Sequence, residues 1–196
     1  AELPQDSKGT NRFENEKYVI ECHPKLPWSH VLASPAFGTL LSDCSLGYTW
    51  AMNSRENKLT PWYNDTMSDN HGELIVLHME GNYYNLASHA RTIFSPHAAI
   101  YEGGAKGVRY SVTVTVPPKG MVKQIEVVLK NQTERRISVE LAYYTEPVLG
   151  VDRSRAGTLH AQQENNMLLF RNSFWQTIPA RMGIACDTEC SIQCSR

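Results

Sequence analysis

Residues 108–143 read VRYSVTVTVPPKGMVKQIEVVLKNQTERRISVELAY, and their period decides the fold. Val108, Tyr110, Val112, Val114 and Val116 alternate with Arg109, Ser111, Thr113 and Thr115. Successive side chains of a strand point to opposite faces, so the pattern predicts a strand with one dry and one wet face. Pro117-Pro118-Lys119-Gly120 ends it, because proline has no N–H for the ladder. Ile125, Val127 and Leu129 then oppose Gln124, Glu126 and Lys130, and Asn131-Gln132-Thr133-Glu134 makes the next turn. Ile137, Val139, Leu141 and Tyr143 repeat the alternation. Three such strands in succession are expected to form an antiparallel meander, packed on one face and wet on the other.

The same period extends outward. Tyr18 to Cys22 reads as a short strand stopped near Pro24 and Pro27, followed by strands at Phe37 to Leu41 and Tyr48 to Met52. Gly72 to Glu80 (GELIVLHME) has strand length, with a turn at Gly81-Asn82. Arg91 to Phe94 reads as an edge strand closed by Pro96. Leu159 to Arg171 and Phe174 to Cys186 supply two more, the second interrupted by Pro179. Glu102 to Gly107 reads as a glycine-rich turn, residues 1–17 as a polar lead-in, and residues 18–196 as one β-sandwich domain. Some nine or ten strands with few helical periods imply an all-β sandwich in preference to a small barrel.

Composition narrows the function classes. Apolar residues make up 41% and charged residues 20% of the 196, which describes a globular chain and not a disordered one. A net charge of -1 without a basic stripe offers nothing to nucleic acid. Apolar runs such as Leu74 to Leu77 fall far short of the ~20 residues of a membrane helix. The opening AELPQDSKGTNRFENEK does not read as a secretory signal, so a cytoplasmic location is expected. Five cysteines exclude complete pairing within one chain. Cys22 and Cys44 read as small buried side chains. Cys186, Cys190 and Cys194 fit no zinc-ligand spacing and read as reduced structural thiols.

The densest polar cluster is Asn53-Ser54-Arg55-Glu56-Asn57, set between strands and close to Trp50 and Trp62. Loops held on a rigid scaffold commonly carry function. No nucleophile elbow, phosphate loop or dinucleotide fingerprint occurs, and the histidine spacings (His71 and His78, His89 and His97) are not those of a metal site. Glycoside chemistry asks for two carboxylates, or one acid with an external nucleophile such as phosphate. Glu56, Asp65 and Asp69 are available near the aromatic residues. Trp28, Trp50 and Trp62 suit the C–H faces of sugar rings, although Trp50, inside an alternating strand, reads as sandwich core.

The runs Phe37-Gly38-Thr39-Leu40-Leu41-Ser42, Gly47-Tyr48-Thr49-Trp50 and Asn53 to Trp62 (NSRENKLTPW), with Asn64-Asp65 and Ser68-Asp69, carry a family resemblance. They resemble the N-terminal β-sandwich domain of glycoside hydrolase family 94, formerly glycosyltransferase family 36. The wording is nearer its cyclic β-1,2-glucan synthase and oligoglucan branch than its cellobiose phosphorylases. The resemblance implies an antiparallel, galactose-mutarotase-like supersandwich, with the acid and the phosphate site on a following helical barrel of the same polypeptide. The chain is then a non-catalytic accessory domain of a β-glucan or disaccharide phosphorylase or transglycosylase. It needs no cofactor or metal, and inorganic phosphate is the co-substrate of the full enzyme. Arg55, Glu56 and Asn57 are expected to bind sugar hydroxyls and Trp62 to stack on a ring. Strand-like sequence running to Arg196 suggests a fragment truncated at its C-terminus, with open edges that favour a homodimer. A free-standing mutarotase-like epimerase or carbohydrate-binding module is the alternative, and it requires two histidines meeting a carboxylate. A purely structural domain, with the motif as an inter-domain contact, is the third.

Overall fold

The computed structural model describes residues 10–62, 71–88, 90–174 and 181–193. Among them are fifteen strands, numbered in chain order, and a short 3-10 helix at Arg153–Thr158. The largest sheet runs β1 (Arg12–Glu14), β2 (Lys17–Ile20), β8 (Arg91–Ser95), β9 (Ala98–Ala105), β10 (Val108–Thr115), β11 (Gln124–Asn131). Three smaller sheets accompany it. One is β3 (Ser29–Ser34), β4 (Phe37–Ser42), β5 (Tyr48–Ala51), and a second is β12 (Glu140–Thr145), β6 (Glu73–Met79), β7 (Asn82–Asn85). The third is β13 (Leu159–Glu164), β14 (Met167–Asn172), β15 (Arg181–Ala185). Every named pairing is antiparallel, as an all-β supersandwich requires.

The expected meander forms only in its first half. β10 and β11 pair along their whole length, from Val108 opposite Asn131 to Thr115 opposite Gln124. The third strand leaves, and β12 pairs with β6 in another sheet. The chain is steered there by its turn. Asn131 Oδ1 accepts from Thr133 N (2.9 Å), its Nδ2 donates to Arg135 O (2.8 Å), and Arg135 pairs with Glu80 at the end of β6 (2.6 Å). The two sheets face one another across the main core, where Ile75, Leu77 and Met79 meet Tyr101, Val112 and Val114.

Four further expectations need correction. The strand at Arg91 to Phe94 is no edge: β8 lies inside the largest sheet, paired with β2 and β9. Gly103 and Gly104 continue β9, and the turn is Lys106-Gly107, both at positive φ. Gly103 is required for close approach, since a Cβ there would lie 2.3 Å from the Tyr110 hydroxyl of the opposing strand. The polar lead-in contains β1, turned onto β2 through Asn15 and Glu16 at positive φ. Leu159 to Arg171 is a hairpin, bent at Asn165, and not one strand.

One carboxylate lies inside. Glu73 heads β6 on the same face as Ile75, Leu77 and Met79. Its Oε1 accepts from the hydroxyls of Thr49 and Thr60, each at 2.6 Å. Its Oε2 accepts from Lys123 Nζ at 2.6 Å and the Tyr143 hydroxyl at 3.0 Å. Lys123 also donates to Leu46 O (3.0 Å). Four donors meet the four lone-pair sites of a carboxylate, so the network is complete. Burial pulls the Lys123 ammonium down despite Glu73, and burial with the Glu73 charge holds the Tyr143 phenol well above its ordinary value.

Candidate functional site

The polar cluster follows β5, beside the turn that joins β3 to β4. Met52 takes a positive φ and donates its N–H to Ala36 O at 2.7 Å, which turns the chain out of β5. Asn53 then organises the turn. Its Oδ1 accepts from Arg55 N (2.9 Å) and Glu56 N (2.8 Å), an Asx-type arrangement that satisfies two donors at once. The loop closes where Asn57 O accepts from Ala51 N (3.2 Å) and Asn57 Nδ2 donates to Ala51 O (2.9 Å). The Asn57 amide therefore shapes the turn. Arg55 and Glu56 are left exposed at its tip, their side chains 3.3 Å apart and open to solvent.

Trp62 lies beside this turn through Tyr48. Its indole is half-buried and stacks on the Tyr48 ring, with centroids 5.5 Å apart and planes at 21°. The Tyr48 hydroxyl reaches Ser54 O in the turn at 3.5 Å. Trp50 also packs against Tyr48, with ring centroids 5.3 Å apart. Trp50 is not the core residue its alternating strand suggests. In the register, Trp50 opposes Gly38 and Tyr48 opposes Leu40, while Thr39 and Thr49 point the other way, toward Glu73. The indole lies over Gly38, in space that a Cβ would enter to within 2.3 Å. Trp50 and Tyr48 thus share the face of the β3–β4–β5 sheet opposite Thr39 and Thr49, and with Trp62 they form an aromatic row in which Tyr48 is buried and the two indoles are half-buried, outside both core clusters. Trp28 stands apart, half exposed and edge-on to Tyr18.

Behind the turn runs the 148–155 segment. Lys58 and Gly150 exchange two backbone hydrogen bonds of 2.9 Å, and Lys58 Nζ donates to Arg55 O (3.0 Å) and Val151 O (2.9 Å). Next to this contact is a shallow cleft of about 160 Å³, lined by Gly150, Val151, Asp152, Ser154, Arg155 and Phe174. The Arg155 guanidinium sits 4.2 Å over the Phe174 ring, a cation–π distance. Asp152 accepts from Ser154 N at 2.8 Å, and hydrogen bonds from the Ser154 side chain first, then from its backbone N–H, hold the carboxyl below the usual carboxylate range. Sequence reasoning found Arg55, Glu56 and Trp62 but missed Tyr48, which joins them, and Lys58, which anchors them. Nothing in a single lysine letter marks it as buried.

Other candidates resolve differently. His23 meets Asp43 (3.1 Å) and His78 meets Glu140 (2.8 Å), each pairing one histidine with one carboxylate. Among the described residues no cluster of three or more His, Cys, Asp or Glu side chains has the makings of a metal site. Asp65, Asp69, His89 and Cys194 lie outside the described residues. Cys186 and Cys190 are exposed, against the expectation of structural thiols, and the Thr188 hydrogen bond draws the Cys186 thiol below its ordinary value. Cys22 and Cys44 are only half-buried. No helix among the described residues is long and apolar enough to cross a membrane.

The family model for the supersandwich domain of glycosyl hydrolase 94 matches residues 16–195. The cyclic beta-(1,2)-glucan synthase NdvB of Rhizobium meliloti (strain 1021) is 27% identical over 147 residues, covering 66% of this chain and 5% of that protein. The chain thus spans about a twentieth of the length of that curated relative. With its stacked antiparallel sheets and a match along nearly its whole length, the chain belongs to glycosyl hydrolase family 94, as a supersandwich domain.

Proposed function

We propose that the chain is the accessory, saccharide-contacting domain of an enzyme that transfers glycosyl units between a β-glucan, or a disaccharide, and phosphate or another sugar. The observation that carries the reading is the aromatic row of Trp50, Tyr48 and Trp62 lying directly beside the exposed Arg55–Glu56 turn. Sugars present apolar C–H faces and a rim of hydroxyls. An indole offers the first a flat surface. A guanidinium donates to hydroxyl oxygens and a carboxylate accepts from hydroxyl hydrogens, and such charge-assisted bonds are roughly twice as strong as neutral ones. In this reading Trp62 stacks, Arg55 and Glu56 take the hydroxyls, and Asn57 keeps the turn closed. The acid that protonates the leaving oxygen, and the phosphate that attacks the sugar, belong to a helical barrel elsewhere in the same polypeptide. The glucan synthase relative supports a β-1,2-linked glucan as the first saccharide to try.

The test uses the complete polypeptide, with β-1,2-linked gluco-oligosaccharides and either inorganic phosphate or a second saccharide as acceptor. Arg55→Ala and Trp62→Ala are each expected to raise KM about tenfold, equivalent to ~1.4 kcal/mol, while the melting temperature stays near that of the parent. If both variants keep the parent's KM and kcat, the turn is an inter-domain contact and the saccharide reading fails.

A further inference from the structure

Lys58 leaves the most exposed turn of the site, yet it is only 9% exposed itself. Lysine is almost never buried unless its ammonium is met. Here the amine is met by two neutral carbonyls, Arg55 O at 3.0 Å and Val151 O at 2.9 Å, with Glu56 and Asp152 acting on it only through charge at longer range. Burial accordingly pulls its pKa down. The two acceptors come from different segments, 55 in the turn and 151 behind it. Arg55 O belongs to the peptide that joins Arg55 to Glu56; Asn53 Oδ1 holds the N–H side of that peptide at 2.8 Å, and Lys58 holds its carbonyl side. Val151 O belongs to the rim of the Asp152–Arg155–Phe174 cleft.

We infer that Lys58 is a positioning residue for the saccharide contact: its amine locks the Arg55–Glu56 peptide to the Val151 rim. The turn and the cleft rim are then held together. The inference rests on the saccharide reading and adds to it the group that holds the surface in shape. Stability alone is a poor reason for the lysine. A buried ammonium gains little over an apolar side chain of similar volume, and the backbone pair with Gly150 already ties the segments together. What neither the backbone pair nor Asn53 supplies is a link from the Arg55–Glu56 peptide to the Val151 rim.

Lys58→Met keeps the stem and deletes the amine. In the complete polypeptide, amide exchange at residues 53–57 and 151–152 is expected to quicken about tenfold, with protection elsewhere unchanged, since two hydrogen bonds from a charged donor are lost locally. KM for β-1,2-linked gluco-oligosaccharides is expected to rise about fivefold, and kcat to stay within about twofold, as for a lost ground-state contact. Lys58→Arg, which keeps a charged donor of similar length, is expected to return both readouts most of the way to the parent. Unchanged exchange in Lys58→Met overturns the lock. Faster exchange with an unchanged KM overturns the positioning role and leaves a structural clasp. Should the methionine variant fail to fold, Lys58→Gln keeps a donor and is read by the same two measurements. Failure of the saccharide reading itself appears separately, as an unchanged KM in Arg55→Ala.

Discussion

Asp43 holds a carboxylate with 1% of its side chain exposed, 3.1 Å from His23 Nδ1. The contact is an ion pair off the line of a hydrogen bond, since neither carboxylate oxygen has a well-aligned donor. His23 Nε2 lies 3.1 Å from Ala90 O, so both ring nitrogens face acceptors and the imidazolium fits. Burial alone pulls the His23 pKa down, but Asp43 and the Ala90 carbonyl outweigh it and the net shift is upward. A folded pKa above the unfolded value contributes stability that is complete below about pH 6.5 and is lost as pH rises through the folded value. His30 works in the opposite sense, because burial lowers it in spite of its bond to Ser95 O. The difference between parent and His23→Ala in urea midpoint, taken from pH 5.5 to 8.5, isolates His23. It should be large at the acid end and shrink toward the alkaline end; a flat difference means the pair does not titrate. A second prediction concerns Glu73. Lys123→Met strands a buried carboxylate and should cost about 3–5 kcal/mol in chemical denaturation. A loss below about 1 kcal/mol would show that the hydroxyl donors suffice without the charge. The alternation in GELIVLHME already puts Glu73 on the face of Ile75 and Leu77. Its partners stand between 13 and 70 positions away, and no local pattern announces them.

Strands with one face on a core were the legible elements, and β6 and β10 run where their period places them. β1 was missed because all three of its residues are exposed, so it has no dry face to alternate. The β9 glycines hid a strand behind the composition of a turn. Pairing was legible between β10 and β11, which a short connection joins, and illegible for β12, whose partner comes from far earlier in the chain. The Asn53 to Trp62 motif located the site, but which tryptophan faces outward depends on register, which shifts every side chain to the other face when it slips by one. Two substitutions test the element geometry. Val127 opposes Val112 and packs half-buried on the main core, so Val127→Asp should cost several kcal/mol and lower the melting temperature sharply. A parent-like melt would place Val127 on the wet face. Gly38→Ala puts a methyl where the Trp50 indole lies and must lift the ring, at about 1–3 kcal/mol. Red-shifted tryptophan emission with the fold retained is the expected signature; an unchanged spectrum would mean the indole does not rest on that strand.

Among the described residues the molecule has two cores of unequal size. The larger joins the six-stranded sheet to the sheets of β4 and β6, with Leu41, Leu77, Tyr101 and Val112 fully buried at its centre. The smaller gathers Phe37, Leu59, Leu149 and Phe170, and Val116 packs against both. The β13–β14–β15 sheet is held to the rest largely through the second core and through Asn172. That side chain is 3% exposed, donates to Val148 O (3.2 Å), and accepts from the Thr158 hydroxyl (2.7 Å) and Phe174 N (3.0 Å). Five of the six residues of β13 are exposed, so this sheet has one packed face and little behind it. Regions with few buried apolar contacts open at lower free energy than the global transition. Phe170→Ala deletes the largest side chain that β14 gives the small core, a change worth about 3–5 kcal/mol in a well-packed site. The loss should fall on this sheet alone. Hydrogen exchange in the variant is expected to show β13 and β14 unprotected while β6, β9 and β10 keep parent rates. Equal loss of protection across all four sheets would show instead that the two cores fold as one unit.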